Sequence, residues 1–107
     1  GCMNCREMEA RVWSDQRVSA MLKEKFVVAA LVVDDKTALP ESKWVTTQSG
    51  KVLKDVGRVN SYIARERFGV NAQPNYIILD PSGKILAGPR GYDLSVDAYI
   101  EFLNSAL

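Results

Sequence analysis

Cys2 and Cys5 are the only cysteines of the chain and stand three residues apart in the opening stretch GCMNCREMEA. Two thiols at that spacing can be half of a metal site, a short structural staple, or a pair that does redox chemistry. A structural zinc site takes four ligands, usually cysteine or histidine. The chain offers two cysteines and no histidine, so a zinc site would have to be shared between two chains. A disulfide closing so short a loop restricts the unfolded chain little and is a weak staple. The redox reading supplies a mechanism. With Cys2 at a helix N-terminus, unpaired backbone N–H groups and the positive end of the helix dipole face its sulfur and favour the thiolate. Cys2 then attacks a substrate disulfide and forms a mixed disulfide. Cys5, about one turn further in, attacks that bond and releases the reduced substrate. The absence of histidine also excludes a Ser/His/Asp triad and a Cys/His protease pair.

The elements that must position this pair are written in the rest of the chain. Its 107 residues fit one small domain, and 47% apolar residues suffice for a core. With 14 Lys+Arg against 13 Asp+Glu and no basic cluster, nothing points to nucleic acid. No apolar run has the length to span a bilayer, the longest being FVVAALVV at 26–33. From Cys2 to about Trp13 the spacing of Cys5, Met8 and Val12 predicts a helix. Ser14-Asp15 is a helix-start signal, and a second short helix, or a kinked continuation of the first, runs to about Lys25 with Val18, Met21 and Leu22 inward. FVVAALVVDD does not alternate, which predicts a strand covered on both faces.

ESKWVTTQSGKVLKDV predicts a small hairpin around Ser49-Gly50, an excursion at about 41–56. GRVNSYIARERFG reads as a helix with Val59, Tyr62 and Ile63 inward, ending at Gly69. NYIILD and KILAG, joined by the turn DPSG, read as an antiparallel hairpin. SVDAYIEFLNSAL reads as a closing helix with Ser95 as N-cap and Val96, Tyr99, Ile100, Leu103 and Leu107 on one stripe. Helices separated by strands predict a layered α/β domain.

FGVNAQPNYIILD resembles the segment of thioredoxin-fold proteins in which a proline follows a loop and opens a strand. The resemblance implies a cis bond before Pro74, a loop facing the cysteine pair, and a Gln73 backbone that pairs with an extended substrate chain. The hairpin after Pro74, then GPRGY, then a closing helix is similar to the ending of that fold, with Gly91 near the active-site surface. It implies a thioredoxin-like three-layer sandwich with a central mixed sheet, as a single domain over 1–107. The stretch CMNCREMEARVWSDQRVSAMLKEKFVVAALVVDD resembles, more narrowly, the C-terminal domain of the transmembrane thiol:disulfide interchange proteins of the DsbD type. That implies a periplasmic reductase domain passing electrons from a membrane-embedded domain to protein partners, with membrane association only through a parent protein. It implies no cofactor and no metal, since the electrons reside on the sulfur pair. The partners are proteins bearing disulfides or dithiols, not nucleic acid. A free-standing periplasmic reductase and a non-catalytic binding module on the same scaffold are the rival readings.

The chain departs from the family pattern in three places. Met3-Asn4 replaces the Gly-Pro between the cysteines of thioredoxin itself, and the 41–56 excursion is long. In the family a strand inside the sheet runs into the first cysteine, whereas here only Gly1 precedes Cys2. A missing inner strand leaves backbone groups of its neighbours unpaired. Either upstream residues complete the sheet or exchange of a segment between two copies fills the slot. Among other residues, Arg6, Glu7, Glu9, Asp34 and Asp35 read as solvated charge, Trp13 and Trp44 as packing groups, and Tyr92 as a contact near the active face.

Overall fold

The computed structural model describes residues 2–107. The chain forms two compact units, one made of the described residues up to Val28 together with Ala72–Leu107, the other of Ala29–Asn71. Helices and strands are mixed in sequence: α1 Met3–Met8, a π-helical turn Glu9–Trp13, α2 Gln16–Lys25, β1 Val45–Thr46, β2 Val52–Leu53, α3 Val56–Phe68, β3 Tyr76–Leu79, β4 Ile85–Arg90 and α4 Val96–Asn104. Among the described residues no helix is long and apolar enough to cross a membrane.

In the first unit, the helical path that begins at Cys2 runs from α1 into the π turn and stops at Ser14, whose hydroxyl bonds back to the Ala10 carbonyl at 2.5 Å. Asp15 then caps α2, its carboxylate accepting the Arg17 N–H at 2.9 Å. Hydrogen bonding to Arg17 holds the Asp15 carboxyl below its ordinary value, although burial pushes the other way. These helices place Met8, Val12 and Val18 against Tyr99 and Leu103 of α4, and all five are buried. Each such aliphatic side chain contributes about 1.5–3 kcal/mol on leaving water. Ser95 caps α4 through its hydroxyl, which accepts the Ala98 N–H at 3.1 Å. The expected stripe on this helix stops at Leu103, because Leu107 lies beyond the helix end and is 65% exposed.

β3 and β4 form an antiparallel hairpin with Tyr76 opposite Arg90 and Leu79 opposite Ile85. Its turn is organised by Asp80, whose carboxylate accepts from the N–H groups of Ser82 (2.8 Å) and Lys84 (2.9 Å). At Gly88 the backbone has φ +93 and a Cβ would collide with the Tyr76 carbonyl, so the irregular register of the ladder requires glycine there.

The second unit contains the expected small hairpin, with Val45 opposite Leu53 and Thr46 opposite Val52. Leu53 is buried, while Trp44 is 38% exposed, its indole N–H bonded to the Leu39 carbonyl at 3.0 Å. Asp55 caps α3 by accepting the Arg58 N–H at 2.8 Å. Gly69 ends α3 in the left-handed region, φ 67, with bonds from Gly69 and Val70 back to Arg65 and Ala64. Gly57 allows a close approach: a Cβ there would stand 2.5 Å from the Val33 carbonyl oxygen.

Two expectations about the sheet need correction. Residues 26–33 form no strand, and most of the run is open to solvent, with Val27 99% exposed. A continuous apolar run predicts burial on both faces only when neighbouring strands accept its backbone groups. Among the described residues no backbone–backbone hydrogen bond reaches residues 27–32, although Asn60 donates from its side chain to the Val32 carbonyl at 2.9 Å. In place of a central mixed sheet, the described residues hold two separate two-stranded antiparallel sheets, β1–β2 and β3–β4. Parallel pairing would require the 26–33 segment in a ladder, and it is in none.

An aromatic cluster ties the first unit together. Trp13 donates to the Tyr99 hydroxyl at 3.1 Å, and the Tyr76 ring meets Tyr99 edge-on at 5.3 Å and Trp13 at 5.9 Å. Burial, reinforced by Tyr99 and Glu9, pushes the Tyr76 hydroxyl up from 10.0 to about 12. Its folded value is raised, so the folded chain keeps a proton that the unfolded chain sheds above pH 10.0. The associated stability is present below that pH and is lost as pH rises toward about 12. Thermal melts across this window should therefore fall more steeply for the wild type than for Tyr76→Phe. Identical alkaline losses in the two proteins contradict the assignment.

Candidate functional site

Cys2 is the N-cap of α1, with extended backbone (φ −106, ψ 108), and Cys5 lies one turn inside the helix. A helix start normally uses a serine, threonine or aspartate oxygen to accept the first free N–H groups. Here sulfur takes that place: the Cys5 N–H donates to Cys2 Sγ at 3.2 Å. The Cys2 carbonyl accepts the Arg6 N–H at 3.1 Å, which closes the first turn. The two cysteines form a disulfide with their Cα atoms 5.2 Å apart. Both are half-buried. Met3 between them is 78% exposed and Asn4 is also exposed, which leaves the outer side of the pair open. Among the described residues the hydrogen bonds of the pair stay within this helix.

The helix carrying the pair is anchored from below. Met8 and Val12 are fully buried, one and two turns past Cys5, and Trp13 reaches the Tyr99 hydroxyl. This anchor involves two features that sequence patterning missed. The π turn over Glu9–Trp13 carries no residue signature. The Trp13–Tyr99 bond joins residues 86 apart, although a tryptophan and a tyrosine both on apolar stripes offered a hint. Burial raises the Tyr99 hydroxyl above its ordinary value, while the indole N–H works against that.

Pro74 is buried and the Gln73–Pro74 peptide bond is cis. Gln73 itself is exposed, and Asn75 closes the loop by donating to the Ala72 carbonyl at 3.0 Å. Gly91 backs onto this loop, since a Cβ there would lie 3.9 Å from the Pro74 carbonyl oxygen. A second cis bond precedes Pro89, which nothing in the sequence singled out. Tyr92 follows with its ring 44% exposed.

The other charged residues singled out in the sequence act locally. Glu7 pairs with Arg11 at 3.2 Å across an exposed helix turn, which is worth little. Hydrogen bonding to Thr37, through its side chain first and then its backbone N–H at 2.9 Å, holds the Asp35 carboxyl below the ordinary value. Among the described residues no three potential metal ligands are gathered in one place.

A family model described as a thioredoxin-like domain matches residues 1–106. No curated protein matches the chain. With the close cysteine pair, the family match supports thiol–disulfide redox chemistry at Cys2 and Cys5.

Because the disulfide spans a separation of three residues, opening it frees little unfolded-chain entropy. Reduction with dithiothreitol should lower unfolding stability by about 2 kcal/mol or less in denaturant titrations. A much larger loss, or unfolding on reduction, would mark the bond as a structural staple.

Proposed function

This chain belongs to the thioredoxin-like domain family, and on that premise we propose that it is a protein thiol–disulfide oxidoreductase in which Cys2 is the nucleophile and Cys5 the resolving thiol. The observation that carries this reading is the backbone N–H of Cys5 aimed at Cys2 Sγ on the exposed start of a helix. In the reduced state that N–H and the helix end favour a thiolate at Cys2, with no histidine required.

The exchange balances on sulfur. The Cys2 thiolate attacks one sulfur of a partner disulfide, a new S–S bond forms, and the partner's other sulfur leaves as a thiolate that takes up a proton. Cys5 gives up its proton, attacks Cys2 Sγ, and closes the intramolecular disulfide while the partner's second thiolate departs. The partner gains two electrons and the domain loses two, so no cofactor or metal takes part. Gln73, exposed beside the cis-Pro74 loop, offers main-chain groups to an extended partner segment in this reading.

The finer assignment is the C-terminal domain of a DsbD-type interchange protein, acting in the periplasm and reduced by a membrane-embedded domain of the same parent. It is supported by the resemblance of residues 2–35 to that family. In such an oxidising compartment a reductase must be recharged by a dedicated donor.

Mixing each single variant with a disulfide-bearing protein and separating the products without reductant tests the roles. Cys5→Ser should accumulate a mixed disulfide through Cys2, and Cys2→Ser should trap little. Trapping on Cys2→Ser instead would reverse the assignment, and exchange of small disulfides at wild-type rate by Cys2→Ser would end the catalytic reading.

A further inference from the structure

The second unit holds a cleft of about 490 Å³ to which no role has been given. Five of its lining residues come from α3: Arg58, Ser61, Tyr62, Arg65 and Glu66. They follow the steps i, i+3, i+4, i+7 and i+8, so they form one stripe of the helix. A stripe facing a neighbouring element is ordinarily apolar. This one carries two guanidinium groups two turns apart, about 10 Å along the axis, with two hydroxyls between them. The β1–β2 hairpin contributes Lys51 and the buried Leu53.

Charge in the cleft is one-sided. Lys51, Arg58 and Arg65 face a single carboxylate, Glu66, and the other lining side chains are neutral. Arg58 contacts Asp55 through Nε at 3.4 Å, which occupies one of the five donors a guanidinium carries. The spacing also selects the kind of anion. An extended polyproline-II segment rises about 3.1 Å per residue with three residues per turn, so carboxylates three residues apart lie on one side of it, about 9 Å apart, and match the two arginine positions. The aromatic ring of Tyr62 and the apolar Leu53 suit the aliphatic stems and backbone of such a chain.

We propose that this cleft docks an acidic segment of the protein partner, a stretch with carboxylates about three residues apart. The assignment of that segment to a redox partner rests on the function proposed above; the binding itself does not.

Fluorescence anisotropy with the full chain and a labelled, cysteine-free, glutamate-rich peptide tests it. The wild type should bind, and raising salt should weaken binding. Affinity should fall about tenfold or more in Arg58→Ala/Arg65→Ala, and Arg58→Lys/Arg65→Lys should keep most of it. Both arginines are exposed, so the fold should survive, which far-UV circular dichroism checks. The proposal is overturned if the peptide does not bind at low salt or binds the double-alanine protein as tightly as the wild type. It is also overturned if inorganic phosphate displaces the peptide as effectively as unlabelled peptide does, which would leave a small-anion site. Exchange with a small-molecule disulfide, measured on the same samples, separates the two ideas. Normal exchange without peptide binding removes the cleft alone, and peptide binding without exchange removes the redox function alone.

Discussion

The proposed redox chemistry depends on a sulfur atom occupying the capping position of a helix. Free N–H groups at a helix start need an acceptor. In α1 the first acceptor is Cys2 Sγ, and the donor is the N–H of the second cysteine. The Cys-x-x-Cys spacing is therefore a backbone requirement as well as a side-chain one. It sets the two sulfurs within bonding distance and aims a main-chain dipole at one of them. Met3 and Asn4 need only permit the helical turn, and both are exposed.

A cap of this kind is useful only if the helix beneath it holds still when the disulfide opens. Six α-helical residues have little stability of their own. The chain compensates by continuing into the π turn, burying Met8 and Val12, and fixing Trp13 to the Tyr99 hydroxyl of α4. Because the π turn changes the period of the helix, Trp13 falls where the Tyr76–Tyr99 ring pair can receive it. The first unit thus links its N-terminal redox pair to its C-terminal helix through aromatic contacts and one hydrogen bond.

Much of this was legible in the residues, for identifiable reasons. Caps and turns are local, so Asp15, Gly69, Ser95 and the Asp80–Gly83 turn declared the boundaries of α2, α3, α4 and the β3–β4 hairpin. The cysteine pair was legible because spacing and helix geometry alone bring the sulfurs together. What failed was non-local. The run at 26–33 has the composition of an inner strand, but composition cannot supply the neighbour whose backbone would pair with it. Nor does any residue type announce a π turn or the meeting of Trp13 with Tyr99. The basic stripe on α3 was visible only as scattered arginines until the hairpin opposite it turned out to be free of acids.

The central claim is that the helix cap makes Cys2, and not Cys5, the reactive thiol. Site-resolved alkylation of the reduced protein by iodoacetamide as a function of pH tests it most directly, with mass spectrometry assigning each adduct. The account predicts that Cys2 is modified first and that its reactivity rises at a pH below the value of about 8.5 for a free cysteine. Modification of Cys5 ahead of Cys2, or both thiols titrating like free cysteine, would contradict it.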